Sequence, residues 1–203
     1  MPAADRREAI LAAALDVFAE GGYHDSSLDG VAARAGVSKA LIYEHFASKQ
    51  ELHSALLEAS RVELLDRVAA AVAEAETAED RLRAGLEAFL TFVEERRGAW
   101  RVLFRNVSDP EIAASLDRVQ EGAIHDVAEL VARDAPAESP VEGESVEIAV
   151  EMIAQQLVGA GQALANWWDE HREVPREAIL QAHMDFAWLG LERLASGERW
   201  RAQ

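Results

Sequence analysis

The chain has 203 residues, half of them hydrophobic, no cysteine and a formal net charge of −17. That length holds one large core or two small ones, and the apolar share excludes a disordered chain. Missing thiols exclude disulfides and thiolate metal sites; with no basic–apolar–small secretory pattern and no apolar run near the roughly 18 residues of a membrane span, a soluble cytoplasmic protein is expected.

Almost every segment reads as helix, because Ala, Leu, Glu and Arg dominate and β-branched alternation is missing. A first helix is expected over residues 5–20, with Ile10, Ala14, Val17 and Phe18 on one face and Gly21-Gly22 as its stop. Ser26, with Asp29 three residues on, has the spacing of a capping box for the second helix. That helix ends at Ala35-Gly36, where glycine accepts the positive φ of a sharp exit. Ser38 is a natural N-cap for a third helix running to about His45. Ser48-Lys49-Gln50-Glu51 is a full capping box and opens a long helix to about Glu76. Thr77-Ala78-Glu79-Asp80 caps the next helix, which Arg97-Gly98 ends, and a short segment from Trp100 to Asn106 follows. Asp109-Pro110-Glu111 puts proline at the first helical position of a helix that fades by Arg133. Residues 134–145 form the one clear loop, and two long helices, about 146–171 and 175–195, close the chain. There is no internal repeat and no low-complexity tract.

Residues 31–46 are the most informative stretch. They read as two short helices joined by a tight turn, with Val31, Ala32 and Ala35 on one apolar stripe. A unit of this kind is a helix-turn-helix, which presents its second helix to the DNA major groove. The charge balance runs against easy DNA binding. Residues 1–60 hold five cations (Arg6, Arg7, Arg34, Lys39, Lys49) against nine acids, so the basic stripe of a strong nonspecific binder is absent. Yet the chain's only two lysines, Lys39 and Lys49, flank the candidate recognition helix.

The first 57 or so residues resemble the DNA-binding domain of the TetR family of bacterial transcriptional regulators. The resemblance is carried by Ala9-Ile10-Leu11-x-Ala13-Ala14 and Phe18-x-x-x-Gly22-Tyr23, then by Ser27-Leu28-x-x-Val31-Ala32-x-x-Ala35-Gly36-Val37-Ser38. Ile42-Tyr43-x-His45-Phe46-x-Ser48-Lys49-x-x-Leu52 completes it, collinear and without gaps. Trp167-Trp168 and Trp188-Leu189-Gly190-Leu191 look like the family's last two helices. The resemblance implies an all-α chain: a three-helix DNA-binding domain over residues 1–50 and a helical bundle over 51–203 for ligand binding and dimerisation. It also implies a homodimer joined through the last two helices, a palindromic double-stranded operator, a small-molecule effector and ligand-controlled repression, with no cofactor.

Chemistry gives the matched residues their roles. Lys39, Ala40 and Leu41 lie on the first turn of the recognition helix: Lys39 can donate to guanine O6 or N7, and its two neighbours make only apolar contacts. Tyr43 and His45 match family positions that touch the DNA backbone. Lys49 opens the following helix, where its charge and the helix dipole both attract phosphate, and Ser27 plays that part at the start of the preceding helix. Ser38 is a cap first and a contact second. Ala40 departs from the family's frequent Gly or Pro, and Leu41 from its common small polar residue. Glu44, on or near the DNA face, either accepts from a cytosine N4 or points away.

Further along, Phe89, Phe92, Trp100, Phe104 and Trp167 are candidates to line a ligand pocket or to serve as ordinary core. Gln155, Gln156, Gln162 and Asn166 are polar groups on a strongly apolar helix; Gln155 and Gln162 join the pocket set, and bonding across a dimer interface stays open as the alternative. Gly159-Ala160-Gly161 weakens the same helix by about 1 kcal/mol per glycine, which close helix–helix approach explains. His125 and His183 read as structural or solvated. An enzyme is disfavoured: no histidine has Glu three residues before it, as a di-iron bundle requires, and there is no Gly-rich phosphate loop or metal set. The competing reading is a helical protein-interaction module without DNA binding, which the acidic balance favours.

Overall fold

The computed structural model describes residues 3–104, 110–141, 143–196 and 198. Among these the chain is helical, without strands, in the order α1 (Ala3–Asp25), α2 (Leu28–Ala35), α3 (Lys39–His45), α4 (Lys49–Ala73), α5 (Ala78–Glu95), α6 (Arg97–Phe104), α7 (Pro110–Ala132), α8 (Val146–Glu170) and α9 (Arg176–Ala195). It divides into two compact units, residues 1–63 with 95–119 and residues 64–94 with 120–203. The second segment of each unit begins at the end of α5 or within α7, so neither unit is one unbroken stretch of sequence. No helix among the described residues is long and apolar enough to cross a membrane.

The first unit is built on the apolar stripe that the sequence displays. Ile10, Ala14 and Phe18 of α1 are fully buried against Val31 of α2, Ile42 of α3 and Leu52 and Leu57 of α4, and Phe46 closes the corner between α3 and α4. Full burial of each large side chain contributes about 1.5–3 kcal/mol. Helix α6 lies on α1, close enough that a Cβ at Gly98 would sit 3.5 Å from Ala19. Trp100, a candidate from the sequence for pocket lining or ordinary core, is buried in this first unit. The turn between α2 and α3 is made by Gly36 at φ 67°, whose N–H and that of Val37 return to the carbonyls of Ala33 and Ala32.

Several helix ends differ from the sequence reading for local reasons. The break in α1 falls at Gly22 (φ 75°, ψ 164°), and beyond this kink the helix runs on to Asp25, carrying Tyr23 and His24. Ser27, not Ser26, caps α2 by accepting from the Gly30 N–H at 3.1 Å. Ser26 is engaged elsewhere, its single hydroxyl hydrogen shared between the Gly22 carbonyl at 2.5 Å and the Val17 carbonyl at 3.0 Å, which pins the kinked end of α1. In the box before α4, Ser48 accepts from the Glu51 N–H at 3.0 Å, while the Glu51 carboxylate reaches back to Ala47 rather than to Ser48. Pro175 is the N-cap of α9 instead of its first residue, and it supplies no side-chain bond.

In the second unit, α5 is fastened at both ends. Arg81 pairs with Asp134 beyond α7, its Nε 2.8 Å from the carboxylate, and Arg176 at the start of α9 donates to Thr91 at 3.1 Å and Glu94 at 3.3 Å. The two glycines of α8 have different surroundings. A Cβ at Gly161 would meet Phe89 of α5 at 3.7 Å, whereas one at Gly159 meets open space. The α8–α9 connection is closed by Trp168, whose indole N–H donates to the Val174 carbonyl at 2.8 Å.

His183 of α9 is buried, and desolvation holds its imidazole below the ordinary value of 6.5. The folded state therefore holds this proton less tightly than the unfolded chain does. The resulting stability is present above the unfolded pKa and is lost as pH falls through the folded one. Urea unfolding followed by circular dichroism should show a midpoint that declines below about pH 6.5, with a flatter profile in that window for His183→Gln. The carboxylates of Glu58 and Glu147, held below their usual 4.5 chiefly by bonds from Arg61 and Ser145, act in a separate and more acidic window.

Candidate nucleic-acid interface

Seven residues make up α3, from Lys39 to His45. Ser38 stops its N-terminus from fraying by accepting from the Leu41 N–H at 3.2 Å. Ile42 is fully buried and fixes the inner face. At about 100° per residue, the opposite face is centred between Ala40 and Glu44, with Tyr43 and Leu41 on its flanks. Ala40 and Glu44 are exposed, Leu41 is half-buried, and Tyr43 is 50% exposed. The helix thus offers a small apolar patch with one carboxylate at its centre and a phenol at its edge. A carboxylate there can accept from a cytosine N4 and repels phosphate.

The sequence-predicted residues lie along α3 and at the starts of α2 and α4, and their chemistry is partly engaged within the protein. Lys39 has its ammonium 2.7 Å from Asp29 of α2, and that bond and charge hold its pKa above the usual lysine value. Lys49 at the start of α4 donates to the His24 carbonyl at 3.2 Å and lies 4.4 Å above the Tyr23 ring. Partial burial lowers its pKa, with Asp25 opposing that shift. Ser27 and Ser38 both serve as caps and are exposed at the two helix starts. His45 is half-buried, its ring 6.3 Å from that of Phe46.

Around Tyr23 the first unit has an aromatic joint that the sequence motif did not reveal. The Tyr23 ring meets Phe18 edge-on at 5.6 Å, the buried His53 of α4 at 4.9 Å and His24 at 5.5 Å. The kink at Gly22 is what turns Tyr23 back toward this cluster, and Lys49 completes it from α4. Two arginines add braces. Arg34 of α2 binds Glu20 at 2.8 Å and Asp16 at 3.2 Å on α1, and the Arg7 guanidinium lies 5.2 Å from the Phe46 ring centre. The signal available in the sequence was the Gly22-Tyr23 pair itself.

Among the pocket candidates in the second unit, Phe92 is buried beneath the Arg67 guanidinium at 5.6 Å, Phe89 is half-buried against Gly161, and Gln162 is half-buried. Gln155 and Trp167 are exposed on α8, Trp167 stacked on His171 with ring centres 4.0 Å apart. The side chain of Phe104 lies outside the described residues. No group of three or more potential metal ligands occurs among the described residues.

A capped recognition helix, held by its buried face and preceded by a glycine turn, defines a helix-turn-helix regulator. Comparisons with known proteins agree. Residues 10–56 match the bacterial regulatory proteins of the tetR family, and residues 78–190 match the tetracyclin repressor-like C-terminal domain. The chain is 34% identical over 197 residues to the HTH-type transcriptional activator FasR of Mycolicibacterium smegmatis, covering 96% of this chain and 86% of that protein. A TetR-like transcriptional regulator from Rhodococcus sp. RHA1 is similar in structure, with a TM-score of 0.71 at 31% identity over 95% of this chain and 98% of that one. FadR from Bacillus subtilis, solved in complex with stearoyl-CoA, shares the fold with a TM-score of 0.72 at 20% identity, covering 95% and 99%. The chain belongs to the TetR family of DNA-binding transcriptional regulators, and it is not an enzyme.

Because Lys49 stacks on Tyr23 in a partly buried joint, its removal should be felt in stability as well as at DNA. Lys49→Ala is expected to lower the unfolding free energy by about 0.5–1 kcal/mol, read from urea denaturation. An unchanged midpoint would show that the joint does not depend on the lysine.

Proposed function

We propose that the protein is a ligand-responsive repressor, with residues 1–50 reading a palindromic operator and residues 51–203 holding an effector and joining two copies. The cytoplasm, where operator DNA lies, is its place of action. The observation that carries the reading is the exposed outer face of α3, bounded by Lys39, Ala40, Leu41, Tyr43 and Glu44 around the buried Ile42. In a dimer, two such helices enter successive major grooves about 34–36 Å apart. Ser27, Ser38, His45 and Lys49 then face the flanking phosphates.

The outer sides of α8 and α9 support the dimer. Ile148, Met152, Gln155, Gly159, Ala163 and Trp167 share one face of α8, and Phe186 (72% exposed) and Leu189 (53%) stand out on α9. Large apolar side chains concentrated in this way mark an association surface. Gln155 and Trp167 belong to that surface in this reading, which leaves Phe89, Phe92 and Gln162 as the effector contacts of the second unit. Coupling runs through α4, a single helix that contributes residues to both units. Effector and operator then weaken each other by the same factor, typically worth about 1–3 kcal/mol.

A gel shift with the DNA flanking the protein's own gene tests the reading. A retarded complex that rising salt weakens is expected, and added stearoyl-CoA, bound by the Bacillus subtilis FadR, is the first effector probe. Loss of the complex with effector, together with a reporter that rises when the gene is deleted, supports repression. A reporter that falls, as for an activator, overturns it. Lys39→Ala should shift the preference at one base position, whereas Lys49→Ala weakens all sequences alike. For the dimer, Met152→Glu combined with Phe186→Glu should sediment as a folded monomer; a dimer that persists would move the interface elsewhere.

A further inference from the structure

Lys39 stands first in the recognition helix, and its ammonium is 2.7 Å from a carboxylate oxygen of Asp29 on the neighbouring helix α2. Both side chains are well exposed, at 46% and 68%, so the pair sits at the surface that DNA approaches. We propose that Asp29 is a specificity-determining residue that turns Lys39 from a phosphate anchor into a base reader. The proposal rests on the reading of Lys39 as a DNA contact.

The argument is one of charge and of donor number. A lone ammonium is attracted to every phosphate and releases a counterion from each one it neutralises, which strengthens binding to any sequence. An ammonium paired with a carboxylate is neutral as a unit. Its partner repels a phosphate about as strongly as the lysine attracts it, and that pull is cancelled. The neutral acceptors of a base edge carry no such repulsion. Lysine has three donor hydrogens, and Asp29 occupies one, so two remain for the O6 and N7 of a guanine. Two further bonds hold α2 itself in place. Ser27 caps α2 two residues before Asp29, and Arg34 anchors the far end of α2 to Glu20 of α1, so the carboxylate is presented from a fixed helix. Asp29 also lies in the first turn of α2, where an acid is favourable to the helix itself.

A double-mutant cycle on the full-length protein tests this by fluorescence anisotropy with a random-sequence duplex and with the fragment upstream of the protein's own gene. Asp29→Asn is expected to raise affinity for the random duplex by about two- to fivefold, the range of a surface ion pair. It should also steepen the dependence of log K on log salt by about 0.9, and narrow the ratio between the two DNAs. In a Lys39→Ala background the same Asp29→Asn change should do much less. An equal rise in both backgrounds would overturn the proposal, since the acid would then act by long-range repulsion alone. No rise in either would overturn it as well. If Lys39→Ala alone leaves both affinities unchanged, the underlying reading of Lys39 fails instead. Circular dichroism of each variant confirms that α2 and α3 are retained.

Discussion

A helix of seven residues does not persist in water on its own, because nucleation costs more than so few hydrogen bonds return. The recognition helix of this protein exists through one constraint, the burial of Ile42 and Phe46 in the same small core as Ile10, Phe18, Val31 and Leu52. The exposed face of α3 is positioned by that contact. It fixes the rotation of α3, so that Ala40 and Glu44 point outward, and it sets where α4 can begin. Ser38 and Gly36 then sharpen the ends of the turn without holding the helices together themselves.

Cations in the first unit are used largely for this architecture. Arg34 braces α2 on α1, Arg7 covers the Phe46 ring, Lys49 closes the Tyr23 joint, and Lys39 is paired with Asp29. A DNA-binding surface is more often read as a reservoir of free positive charge. Here each of these four groups has an intramolecular partner, and the recognition face itself presents alanine, leucine, tyrosine and glutamate.

Much of this was legible in the sequence where one local rule governs the outcome. Gly36 at the turn, Ser38 as a cap and the apolar spacing of Ile10, Ala14 and Phe18 follow from backbone sterics, capping chemistry and helical period, and the fold follows them. Ser26 and Ser27 show where local rules run out. Both are competent caps, and the choice between them was made by the carbonyls of Val17 and Gly22, which come near only after α1 has packed and kinked. Partners such as Asp29 for Lys39 and Tyr23 for Lys49 are likewise tertiary, separated by 10 residues or more along the chain. The glycines of α8 divide in the same way. Helix propensity treats Gly159 and Gly161 alike, and only the packed neighbour Phe89 tells them apart. Trp100 was open in the sequence between pocket lining and ordinary core, and its burial in the first unit depends on the return of the chain after α5, which no local rule announces.

Charge is also distributed unevenly between the two units. The first carries 11 basic and 14 acidic residues, and the second nine and 23. A regulator must find its operator among an immense excess of other DNA, and most such proteins spend their time clinging to it and sliding. A molecule whose larger unit is strongly acidic, and whose recognition helix begins with an ion-paired lysine, is expected to detach quickly from wrong sequences. On this charge balance its search is expected to proceed mostly by free diffusion between brief encounters. Few copies are then stranded on the chromosome, and operator occupancy follows the total concentration of the protein closely.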